Sequence, residues 1–111
     1  MSDSSLLDAR RAARADKLRQ DQDLRTLHER ALSLISDQAR GPSVMTRAYA
    51  AIAKWESEHT CSPFYIREWR RILANPVEGL RLHVLQADAP NAVALMHNTP
   101  FGFLLREPAA A

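Results

Sequence analysis

"CSPFYIREWRRILANP", residues 61–76, decides how this chain is read: it holds a helix start, an apolar stripe and a cationic back in one short stretch. Ser62 is a suitable N-cap, and Pro63 falls at the first helical position, where its missing N–H costs nothing. A helix is predicted to run from there to about Ala74. On it Tyr65, Trp69, Ile72 and Leu73 follow the i, i+4, i+7, i+8 spacing of a buried stripe, with Ile66 on its border. Arg67, Arg70 and Arg71 fall on the other side, so aromatics and arginines answer to different faces.

Upstream, residues 43–58 repeat the helical period, with Ser43 as the expected cap and Val44, Ala48, Ala51, Ile52 and Trp55 as the inward stripe. "EHTC" makes the connection. Residues 22–39 carry Leu24, Leu27, Ala31, Leu34 and Ile35 at three- and four-residue steps, and "GP" at 41–42 is expected to end that helix. Residues 5–19, "SLLDARRAARADKLR", are strong helix formers. Their apolar stripe is thin, because Leu7, Arg11, Arg14 and Leu18 share one face with only Leu6 and Ala13 beside it. Residues 1–20 are therefore read as an N-terminal helix that is mobile or ordered by a partner.

Downstream, Asn75, Pro76 and Glu78 read as cap, first position and third position of a reciprocal capping box, opening a helix with Val77, Leu80, Val84 and Leu85 inward. "DAPN" interrupts it, and residues 91–97 supply one or two more turns with Val93, Leu95 and Met96. Thr99 and Pro100 form another cap-and-proline start. Gly102 weakens the helical reading of "GFLLRE", which fits an extended strand or a tail packed by its aromatics. The expected fold is all-α, a compact bundle of five or six short helices in orthogonal or irregular packing with a C-terminal segment that need not be helical. Its core is Leu27, Leu34, Ile52, Trp55, Tyr65, Trp69, Ile72, Leu73, Leu80 and Val84. Residues 21–106 form the domain and 107–111 a disordered tail.

The chain has 111 residues, 46% hydrophobic and 25% charged, which fits one ordinary globular domain with an expected radius of gyration of roughly 13 Å. A formal charge of +2 gives little long-range attraction for polyanions. Residues 41–75 lean basic, with five cations against three carboxylates. Apolar runs are far shorter than the ~20 residues that cross a bilayer, and the N-terminal residues carry charges where a signal peptide needs its apolar centre. Cys61 has no second cysteine to pair with, which agrees with a cytoplasmic address.

Catalytic and ligand signatures are sparse. The four histidines, His28, His59, His83 and His97, lie in separate segments, and no CxxC or HExxH accompanies them, so no metal site is expected. Gly41, Gly79 and Gly102 are too far apart for a phosphate cradle, and no cofactor is expected. Cys61 beside His59 is the one candidate nucleophile pair, its thiol placed before a helix N-terminus that favours a lowered pKa. Glu56 and Glu58, two apart, face different ways and do not make a general acid/base pair.

The expected function is therefore a small helical module for protein–protein interaction or regulation, self-associating as a homodimer or joined to another chain, with no catalysis of its own and no membrane. Its interaction surface is expected at Phe64, Arg67, Arg70, Arg71, Phe101 and Phe103, the residue types enriched at interface centres. The alternative is a DNA-binding helix-turn-helix that offers the arginines of helix 63–74 to a nucleic acid. It lacks Asn, Gln or Lys at the start of that helix, and Glu68 sits among the arginines. A second alternative is an enzyme with Cys61 as nucleophile.

Overall fold

One helix sets the dimensions of the molecule. A computed structural model describes residues 3–107. In it α1 runs unbroken over Asp3–Ile35, 33 residues, about 50 Å at 1.5 Å per residue, and the longest dimension of the molecule is 56 Å. It is followed by α2 (Gly41–Glu58), α3 (Pro63–Leu73), α4 (Pro76–Leu80), which continues into a π-helical turn over Arg81–Leu85, α5 (Ala92–His97) and a 3-10 turn over Gly102–Arg106. There is no strand among the described residues, and the fold is all-α. No helix among them is long and apolar enough to cross a membrane. The last residues of the expected tail, 108–111, lie outside the described residues.

Only the C-terminal part of α1 belongs to the bundle. Leu27, His28 and Ala31 are buried, with Leu24, Leu34 and Ile35 half-buried beside them, whereas every side chain from 4 to 20 is exposed. The two helices expected at 5–19 and 22–39 are thus one, since nothing near residue 20 breaks the α conformation. The free half extends past the bundle, and the radius of gyration is 16.3 Å instead of the roughly 13 Å of a compact chain this long.

The end of α1 differs from expectation for a local reason. Asp37 turns its carboxylate onto the backbone N–H groups of Ala39 and Arg40, at 2.7 and 3.1 Å. That turn stops the helix at Ile35, before the "GP" pair. Gly41 and Pro42 instead open α2, with Arg40 at the N-cap position and Ser43 already inside the first turn. Glycine is required at 41 by proximity: a Cβ there would lie 2.7 Å from the carbonyl oxygen of Ile35.

In α3 the start is as the residues suggest, the Ser62 hydroxyl accepting from the Phe64 N–H at 3.2 Å. The buried face is Ile66, Trp69, Ile72 and Leu73, so Ile66 takes the inward place expected of Tyr65, which is half-buried. Trp55 and Leu34, expected in the core, also lie half-buried against it. Leu27, Ile52, Trp69, Ile72, Leu73, Leu80 and Val84 are buried. Asn75 occupies the N-cap position of α4, but the expected reciprocal box does not form. Its side-chain amide donates to Glu78 at 2.9 Å, and no side chain caps the backbone. The close approach of α4 to the end of α3 depends on Gly79, where a Cβ would stand 2.3 Å from the Ile72 carbonyl oxygen.

The C-terminal segment is not a strand; it packs by its aromatics, as a short turn. Phe101 is fully buried and Leu104 nearly so, and Gly102–Arg106 wind into the 3-10 turn. What holds them is His28, whose ring is completely buried against Trp69, 5.9 Å between centroids, and edge-on to Phe101 at 6.1 Å. His28 Nδ1 lies 2.6 Å from the Leu24 carbonyl oxygen, which can only accept, so Nδ1 carries the proton. Nε2 then accepts from the Thr99 hydroxyl at 2.7 Å, and Thr99 in turn accepts from the Phe101 N–H at 3.1 Å. Trp69 Nε1–H donates to the Asn98 carbonyl at 2.6 Å. Every polar atom of this cluster has a partner, as burial demands.

Burial pushes the His28 pKa down from 6.5 to about 4, against the weaker opposing pull of its bond to Leu24. The unfolded chain thus takes up this proton near pH 6.5 and the folded chain only near pH 4. The stability that neutral His28 contributes is complete above pH 6.5 and falls as pH drops toward 4, by about 3 kcal/mol in all. Denaturant titrations at pH 7 and pH 4.5 are expected to show a loss about 2–3 kcal/mol smaller in His28→Gln than in the native chain. An equal loss in both would assign the acid sensitivity elsewhere. Gly79→Ala is expected to lower stability by about 1–3 kcal/mol through overlap with the Ile72 carbonyl, read as a lower denaturation midpoint at unchanged slope.

Candidate interaction surface

Two regions of the surface carry the residues that bear on function: the corner between α2 and α3, and the free half of α1. At the corner, α2 ends on His59, in the left-handed conformation at φ 55°, and the chain reverses through Thr60 and Cys61 into the Ser62 cap. The turn leaves an open cleft of about 710 Å³ lined by, among others, Trp55, His59, Cys61, Ile66, Arg67 and Arg70.

The three arginines of α3 do face outward, yet two are already occupied. Arg70 holds Glu56 of α2 through both guanidinium nitrogens, at 3.0 and 2.8 Å, so it ties two helices together. Arg71 donates to Glu68 at 2.8 Å and to His83 Nε2 at 3.2 Å. The hydrogen bond and charge of Arg70 hold the Glu56 carboxyl below its ordinary pKa, and Arg71 does the same for Glu68. Arg67 makes no hydrogen bond or ion pair among the described residues and lines the cleft. The trio thus offers one uncommitted guanidinium where a phosphate backbone would be met by several.

The three phenylalanines separate. Phe64 is 40% exposed and stands edge-on to Tyr65, with centroids 5.2 Å apart. Phe103 is half-buried, its face covered by the Arg47 guanidinium at 4.1 Å. Phe101, expected on the interaction surface, is fully buried against Trp69 and His28. Proximity to the C-terminus suggested exposure for Phe101. The bonds from Thr99 and Asn98 fold that segment inward instead.

Burial raises the Cys61 thiol pKa more than its backbone bond to Ser62 lowers it. The direction is opposite to the lowered pKa expected of a thiol before a helix N-terminus, and its cause is desolvation. No hydrogen bond joins His59 to Cys61, and Glu56 is committed to Arg70. His28 lies in the core, His83 meets Arg71, and His97 faces Asp21 at 3.0 Å. Among the described residues no group of three or more His, Cys, Asp or Glu side chains converges on a point that a metal would occupy.

The second region is the weakly amphipathic N-terminal helix that the sequence marks as mobile or ordered by a partner. In the structure every side chain from 4 to 20 is exposed, with Leu6, Leu7 and Leu18 at 54%, 46% and 65%. Arg11 and Arg19 reach Asp8 and Asp16 of the same helix, through pairs well over half exposed. Such pairs are screened and leave the cations available. The signal was present in the sequence, since residues 4–20 hold five cations against two carboxylates. Residues 21–40, with three cations and four carboxylates, offset that excess within the N-terminal third of the chain.

Compared with known proteins, the chain has no significant match to any family model, curated protein or solved structure. The reading of function therefore rests on these two surfaces. For the cleft, alkylation of Cys61 by iodoacetamide is expected to rise with pH through a midpoint above the ~8.5 of a free thiol. A midpoint below that value would return Cys61 to consideration as a nucleophile.

Proposed function

We propose that this chain is a protein-interaction module, working in the cytoplasm without catalysis of its own, and that the free half of α1 is its docking element. The observation that carries this reading is the exposure of every side chain from 4 to 20 on a helix whose other half is anchored in the bundle. Most helices in proteins are stabilised by packing one face against a neighbour. Residues 4–20 use strong helix formers and three leucines, yet nothing among the described residues buries them. A second protein surface would complete the packing that the chain itself does not supply.

The corner between α2 and α3 supports a secondary contact at most, with Phe64 and Arg67 as its exposed groups. The DNA-binding alternative loses most of its basis with Arg70 and Arg71 engaged by Glu56 and Glu68. The homodimer form of the interaction reading meets an electrostatic objection on the stripe Leu7, Arg11, Arg14, Leu18. With parallel arms, Arg11 faces Arg11 and Arg14 faces Arg14. With antiparallel arms in leucine register, Arg11 faces Arg14. Either way guanidinium opposes guanidinium, which disfavours pairing. A different chain is the preferred occupant.

A photo-crosslinking residue at position 7 or 18, introduced in the native host, is expected to give one discrete adduct heavier than the chain. The same residue at position 22, on an adjacent face, gives a weaker one. Amide exchange in the purified protein should be fast over 4–20 and slow over 24–35. Protection of 4–20 in a monomer, with no adduct at either position, would show that the arm is satisfied internally and overturn the reading.

A further inference from the structure

Charge on the free half of α1 is sorted by face. In helical projection Leu7, Arg11, Arg14 and Leu18 form one line, and Arg10 and Lys17 border it on one side. Asp16 lies opposite and pairs with Arg19, also away from the line. Asp8 lies to the side and reaches Arg11 at 3.9 Å, a pair in which both side chains are more than 70% exposed. The segment carries five cations and two carboxylates, so four of its five cations gather about one line that begins and ends in leucine.

From this arrangement, and resting on the interaction reading above, we propose that the arm binds an acidic amphipathic helix of another protein. Leu7 and Leu18 stand eleven residues apart, about 16 Å along the axis, and Arg11 and Arg14 lie between them. A partner that matches this line presents apolar side chains about three turns apart with two carboxylates between. The leucines then bury against its apolar positions, and Arg11 and Arg14 meet its carboxylates, with Arg10 and Lys17 at the rim. The spacing of the line, four, three and four residues, reads the same from both ends, so the chemistry admits the partner in either direction. A nucleic acid would satisfy the cations but leave two leucines against a phosphate surface, which is why the protein partner is favoured. An anionic bilayer would need a broader apolar face than this line provides.

The experiment uses the full chain and a labelled synthetic helical peptide that carries Leu, Glu, Glu and Leu at the same four, three and four spacing on an otherwise neutral alanine and glutamine background. Fluorescence anisotropy is expected to show binding that weakens at least severalfold between about 50 and 200 mM salt. Arg11→Glu/Arg14→Glu should lose about tenfold or more toward this peptide and gain binding to a peptide with Lys in place of Glu. Leu7→Ala/Leu18→Ala should weaken binding with the salt dependence retained. No binding up to about 1 mM chain overturns the proposal. So does duplex DNA or a phosphatidylserine vesicle competing more strongly than the peptide, or a mass that doubles with concentration and reverts in Arg11→Glu/Arg14→Glu. A crosslink from position 7 or 18 to a host protein, together with failure of the acidic peptide, would reject the partner chemistry and leave the interaction reading standing. Failure of both rejects both.

Discussion

The buried imidazole of His28 joins parts of the chain that lie some seventy residues apart. Its Nδ1–H is held by the Leu24 carbonyl, and its Nε2 takes the Thr99 hydroxyl proton. Thr99 also receives the Phe101 N–H, so one short relay links α1 to the closing turn. Trp69 packs on the ring from α3 and fixes the neighbouring Asn98 carbonyl. With water excluded, each of these bonds leaves an orphaned partner if broken, a cost of about 1–3 kcal/mol per group. Helices α1 and α3 and the C-terminal segment therefore hold one another, and the surfaces are arranged around that junction.

The junction explains which parts of the fold were legible in the sequence. Local signals read well: Ser62 and Pro63 start α3 where expected, and the periodicity of 44–55 places Val44, Ala48 and Ile52 inside. Signals that depend on distant partners did not. His28 looked like one of four dispersed polar residues, because nothing in its own neighbourhood announces Thr99 or Trp69. Residue type alone places Phe101 on the surface, whereas the Thr99 hydroxyl and the Asn98 carbonyl, bonded inward to His28 and Trp69, carry it into the core. The exchange of Tyr65 for Ile66 on the buried face is a rotation of one position, too small for spacing alone to settle. Asp37 stops α1 through its carboxylate turn, a weaker signal in the sequence than the "GP" that follows it.

The candidate surfaces show the same division. Residue type predicted outward arginines on α3, and they are outward. Glu68, three residues from Arg71, is a local partner, whereas Glu56 lies fourteen residues from Arg70 and His83 twelve from Arg71, beyond what local spacing announces. The stretch that looked most like a recognition patch spends most of its positive charge on holding α3 to its neighbours. The less conspicuous N-terminal segment, with its cations either unpaired or held only by screened contacts, keeps its charge in solvent.

The continuity of α1 through residue 20 has a consequence for how fast and how firmly the arm can be used. Starting a helix from a disordered chain is the unfavourable step, with a nucleation constant of about 10⁻³, while each further residue adds at little or no cost. In this chain that step is already taken at Leu24, Leu27 and His28, where the bundle clamps the helix. Fraying at the N-terminal end then reverses by simple extension from an existing template, on the nanosecond scale per residue. Any molecule that meets the arm finds a template already seeded, held in a fixed direction by the bundle, and loses little of its binding energy to organising it.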